Sequence, residues 1–134
     1  MKANSLFLLI ALSLGTFSCA DDDDNLTPVD IVGEWRLSAV LADPGDGSGE
    51  FEPVVSTKEI SFSNQNTFTS NYSLCGLNSD DIAGSGIYSL VAKTITPDDC
   101  VTLGGSPFGL ELIGDELIIS YLCIEPCQEK YLRE

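Results

Sequence analysis

From residue 31 onward no window of this chain keeps a helical period. Short stretches of alternating apolar and polar residues recur instead, each cut off by Gly, Asn, Asp or Pro. That alternation constrains the fold more than any other feature. Trp35, Leu37, Ala39 and Leu41 alternate with Glu34, Arg36, Ser38 and Val40 and predict a first strand. Ile60 and Phe62 mark a second, and Phe68 and Tyr72 a third, with Asn64-Gln65-Asn66 turning between them. Ile87–Leu90 reads as a fourth and Lys93–Thr96 as a short fifth after a turn at Val91-Ala92. Gly109–Ile113 and Glu116–Leu122 form the clearest hairpin, because Gly114-Asp115 places glycine first in a two-residue turn, as type II′ demands. Glu129–Arg133 is the eighth. Eight short strands with regular turns predict an all-β protein, an eight-stranded antiparallel up-and-down barrel.

The links between strands carry further information. Those at 63–66, 91–92 and 114–115 are short, whereas those at 42–56, 73–85, 97–108 and 123–128 are long. In an up-and-down meander alternate links fall at the same end, so one rim is tight and the other holds every long loop. Cys75, Cys100, Cys123 and Cys127 all fall on the long-loop rim. The first strand starts at the tight end, so the preceding chain leaves from there. An even strand count lets the eighth strand close antiparallel on the first, which removes exposed edges.

Ahead of the domain, Lys2 and the apolar run Leu6–Leu14 form a leader too short to span a bilayer, which needs about 20 residues. It ends at Phe17-Ser18-Cys19-Ala20, followed by Asp21–Asp24. This arrangement resembles the lipobox of bacterial lipoproteins, in which the leader is removed and the cysteine carries the lipid. The resemblance implies a signal peptide at 1–18, lipid attachment at Cys19, an acidic tether over 19–30 and one domain over 31–134. A cut after Ala20 by an ordinary signal peptidase is the alternative, and it would free a soluble chain. The four aspartates read either as a self-repelling spacer or as a signal for export to the outer face of the outer membrane; such runs resemble that signal in some Gram-negative lipoproteins.

Within the domain, Gly33-Glu34-Trp35 at the start of the first strand looks like the G-x-W of lipocalins. That pattern also places a basic residue near the end of the last strand, packed on the tryptophan, and Arg133 matches it. The chain resembles the small lipocalin-like domains of bacterial lipoproteins. The resemblance implies a lipocalin-like barrel with Gly33, Trp35 and Arg133 as its structural signature and a cation–π contact of about 0.5–2 kcal/mol between the last two.

Charge and composition narrow the chemistry. Without residues 1–18 the chain keeps 5 basic and 21 acidic residues, a formal charge of −16, with no basic patch. Such a field excludes nucleic acid as a partner. The chain has no histidine, so no Ser-His or Cys-His pair can form. No catalytic residues, metal ligands or cofactors are expected, and the protein reads as a non-enzyme. In an oxidising compartment the four domain cysteines suggest two disulfides, with three possible pairings. Adjacency on one rim favours Cys75–Cys100 and Cys123–Cys127, and a thiolate metal site is the rival. Asp43–Glu50 spaces its oxygen ligands as calcium would like, but it lacks the EF-hand order and reads as a flexible acidic loop.

Tyr72, Tyr88, Phe108 and Tyr121 are the candidate contacts for a ligand or partner. Inward aromatics in small barrels usually serve as core; Phe108, after Ser106-Pro107 in a rim loop, is expected to be exposed. The reading that follows is a surface lipoprotein on the outer membrane, facing the cell exterior through the lipid on Cys19. Its domain would bind an unidentified small hydrophobic ligand at the loop-rich mouth. The alternative is a protein-interaction or inhibitor module that uses the rim loops of a filled barrel.

Overall fold

A computed structural model of the chain describes residues 30–77, 80–100 and 106–134. The leader, Cys19 and Asp21–Asp24 lie outside the described residues.

The strands are β1 (Gly33–Ala42), β2 (Glu52–Pro53), β3 (Glu59–Phe62), β4 (Thr67–Ser70), β5 (Gly84–Ser89), β6 (Thr94–Pro97), β7 (Phe108–Ile113), β8 (Glu116–Ser120) and β9 (Cys127–Arg133). From β3 to β9 each strand pairs antiparallel with the next, and β9 pairs back onto β1. The result is a closed eight-strand antiparallel barrel. The ninth label arises because the chain facing β1 is split. β2 pairs with the C-terminal half of β1 at Ala39 and Val40, and β3 pairs with its N-terminal half from Gly33 to Arg36. Residues 54–58 bridge the gap as a strap.

Turn chemistry explains the short links. Gly114 has φ +59° and Asp115 is not in the left-handed region, as a type II′ hairpin requires. Asn66 and Lys93 take positive φ to close the other two tight turns. Alternation puts Trp35, Ile60, Phe62, Phe68, Ile95, Phe108, Leu110, Leu117, Ile119 and Tyr131 inside, each nearly or wholly buried. Burying one such side chain is worth about 1.5–3 kcal/mol. Edge-to-face pairs lock the rings: Phe62 on Tyr88 and Phe108 on Tyr121, both with centroids 5.1 Å apart.

The structure departs from the expected alternation in one strand. Pairing of β1 with β9 runs Leu37↔Tyr131, then Ala39↔Lys130 and Val40↔Glu129, so a β-bulge falls at Ser38. The extra residue flips the phase: Val40 and Ala42 lie opposite the inward Glu129 and Cys127, and Ala39 and Leu41 do not. The third strand is also shorter than expected, ending at Ser70 and leaving Tyr72 in the loop that follows.

At the tight end, residues 30–32 plug the barrel. Ile31 is buried, and Trp35 Nε1 donates to its carbonyl at 2.8 Å. Arg133 stacks on Trp35 at 4.5 Å from the ring centroid and donates to the carbonyls of Val32, at 3.0 Å, and Asp30. Gly33 holds φ +133° with Arg133 close over it, which suits a residue without a side chain. The G-x-W and its arginine thus form one closed cap.

Candidate functional site

The opposite rim gathers the long loops, and both disulfides lie there. Cys75–Cys100 joins the loop after β4 to the loop after β6, and Cys123–Cys127 pinches the last loop, with Cα atoms 5.2 and 6.1 Å apart. The backbone N–H of Asp43 donates to Pro126 O at 3.0 Å, and Gly45 lies against Glu125, so the first and last loops also meet. The Asp43–Glu50 loop is tied down rather than flexible. Asp43 accepts from the N–H groups of Gly45, Gly47 and Gly49 at 2.7, 3.1 and 2.8 Å. These backbone donors, Gly49 first, hold its carboxyl below the usual range, and the Ser48 hydroxyl does the same for Asp46. A carboxylate spent on its own loop's amides is poorly placed to bind calcium. Among the described residues no three Asp, Glu, Cys or His side chains are grouped closely enough to hold a metal.

Beneath this rim lies a feature that the sequence reading did not identify. Lys58, Ile60 and Phe62 form the inward series leading into β3, while Cys127, Glu129 and Tyr131 form that of β9. Lys58 is therefore aimed at the interior from one side of β1 and Glu129 from the other. The side-chain nitrogen of Lys58 donates to Glu129 Oε1 at 2.9 Å and Oε2 at 3.0 Å. Tyr121 and Tyr131 both donate their hydroxyls to Oε2, at 2.5 and 2.6 Å. Lys58 and Glu129 are only 4% and 2% exposed. Burial first, and the neighbouring negative charge after it, pushes both tyrosine hydroxyls well above their ordinary pKa, so they stay protonated donors.

A cavity of about 220 Å³ opens onto this cluster. Its walls are Leu37 and Val40 of β1, the strap 54–56, Tyr72, and the Lys58–Glu129 pair. The bulge at Ser38 makes the pocket possible: it stands between the two charged residues and turns Val40 inward beside Glu129. Bulges recur next to binding sites because they re-aim a side chain without breaking the sheet.

The expected contact residues divide. Tyr72 lines the cavity, with its hydroxyl 3.2 Å from Thr57 Oγ1. Tyr121 lies one layer behind, reaching the pocket only through Glu129. Tyr88 belongs to the closed end, donating to Ser63 O at 2.7 Å. Phe108 is the first residue of β7, 1% exposed, and not a rim ring; pairing with Ile95 and packing on Tyr121 draw it into the core. The missed pair left one legible signal, a charged residue on the inward phase of each of two strands. No protein-family model, curated protein or solved structure matches this chain.

Proposed function

We propose that this protein is a lipid-anchored, lipocalin-like binding module of the bacterial outer membrane, non-enzymatic, holding a small ligand in the pocket at its loop-rich mouth. One observation carries the binding role: a buried Lys58–Glu129 pair faces a cavity beside the apolar core. Desolvating two charges costs as much as, or more than, their attraction returns, so such a pair is a poor stabilising device. Its place beside an opening favours recognition. The anchoring role rests on the leader and Cys19, and it agrees with Asp30 entering at the closed end, which would leave the mouth turned away from the membrane.

Wild-type protein should label with a fatty-acid probe and sediment with membranes, while Cys19→Ala should do neither. A native N-terminus at Asp21 would refute the lipid anchor. Native mass spectrometry of the purified protein should find a co-purifying small molecule, and its loss in a variant with a filled pocket would place that molecule at the mouth.

A second reading has its own support. Val55, Ile82, Leu122 and Ile124, on the strap and mouth loops, are exposed, Val55 and Ile124 completely. These side chains suit a protein partner, bound by the rim loops of a filled barrel.

A further inference from the structure

The class of ligand follows from the accounting of charge and hydrogen bonds in the mouth pocket, and this inference rests on the binding role just proposed. We infer that the pocket takes a neutral molecule with a compact apolar body and one hydroxyl or N–H donor, which it presents to Glu129 Oε1; phenol is the simplest probe of this class.

Size comes first. A buried cavity of about 150 Å³ suffices for benzene, so 220 Å³ admits a body of roughly six to ten non-hydrogen atoms. Leu37, Val40 and Val54 give the pocket an apolar side, alongside Ser56 and the Lys58–Glu129 pair.

Charge comes second. The cluster holds one ammonium and one carboxylate and is already neutral. A ligand charge of either sign would be desolvated with no counter-charge left to meet it. Around the mouth Asp43, Asp46, Asp98 and Glu125 add a negative field that turns anions away before entry.

Hydrogen-bond capacity comes third. Oε2 of Glu129 accepts from Lys58, Tyr121 and Tyr131, whereas Oε1 accepts only from Lys58 among the described residues. Oε1 thus carries one donor against three on Oε2 and is the less occupied of the two oxygens. The ammonium of Lys58 is engaged with both oxygens, and Lys58 has a further interaction besides. The pocket therefore offers an acceptor, and a ligand must bring the donor. The two tyrosine hydroxyls on Oε2 already show this carboxylate receiving phenolic O–H groups.

The test is an amide-resolved NMR titration of the purified protein with phenol, anisole, benzylammonium and benzoate. Phenol should shift the amides of Val40, residues 54–58 and Glu129, leaving those of Trp35 and Arg133 in place. Anisole, equally apolar but without a donor, should bind roughly 10–100-fold more weakly, as expected for loss of a hydrogen bond to a charged group. Val54→Trp on the half-exposed strap should block phenol, with folding confirmed by an unchanged spectrum elsewhere. Anisole binding as tightly as phenol would overturn the role of Oε1. Tighter binding of either ion would overturn neutrality. A charged molecule co-purifying at the mouth would refute this ligand class but leave the binding role standing. No mouth shifts with any probe, and no co-purifying molecule, would remove both.

Discussion

The two ends of the barrel handle charge in opposite ways. At the closed end Arg133 spreads over Trp35 and gives its N–H groups to backbone carbonyls, keeping about a third of its side chain in solvent. At the mouth Lys58 and Glu129 are almost wholly buried and bond each other, with two tyrosines donating to the carboxylate. The first arrangement closes a barrel cheaply, since the arginine keeps part of its hydration. The second is costly to assemble and fragile to edit, and it borders the only part of the inward lining where β1 breaks its alternation. The difference separates a structural cap from the proposed site.

Removing one charge at each end should break the comparison or sharpen it. Glu129→Leu removes the counter-charge of the buried Lys58 ammonium and the acceptor of two hydroxyls and should cost about 3–5 kcal/mol in denaturant unfolding. A loss below about 1 kcal/mol, the range of exposed pairs, would mean that the cluster is effectively solvated.

Alkaline pH should come next. Tyr121 and Tyr131 have folded pKa values raised above the unfolded value near 10, chiefly by burial. Their contribution is therefore fully present below about pH 10 and is lost as pH rises beyond it, because the unfolded chain releases protons first. The limiting slope is about 1.4 kcal/mol per pH unit for each tyrosine. Tyr88, raised by burial and then by Asp30 at the closed end, should add a weaker dependence. Tyr121→Phe should flatten the alkaline limb more than Tyr88→Phe, and the reverse order would reassign the limb to the cap.

The smallest effect should be Arg133→Leu. It removes a cation–π contact worth about 0.5–2 kcal/mol and hydrogen bonds at a surface that water can reach. Calorimetry should place it well below Glu129→Leu.

Much of the fold was legible because period-2 alternation and turn residues are local. The strands and the two rims follow from spacing, adjacency on one rim favours the two disulfides that form, and the contact of Trp35 with Arg133 was legible only through the resemblance to lipocalins. The bulge was not legible. Ser38 carries no glycine-like signal, and only pairing with β9 reveals that Val40, not Ala39, shares a face with Glu129. The site was hidden for a related reason. Lys58 precedes the apolar part of its strand and Glu129 opens another, so each alone reads as a solvated end. Their meeting depends on β1 standing between them, a fact of closure and not of local sequence. Phe108 misled in the other direction, because Ser106-Pro107 reads as loop although it delivers the ring as the first inward residue of β7.

The central claim is that the Lys58–Glu129 cluster is retained for binding and not for stability. Denaturant unfolding of the combined variant Lys58→Met, Glu129→Leu, Tyr121→Phe, Tyr131→Phe tests it most directly, since all four polar members go together. Its stability should equal that of the parent or exceed it by about 1–4 kcal/mol, as when buried ion pairs give way to packed apolar groups. A loss of about 3–5 kcal/mol, as large as that from a single broken pair, would contradict it and make the cluster a part of the scaffold.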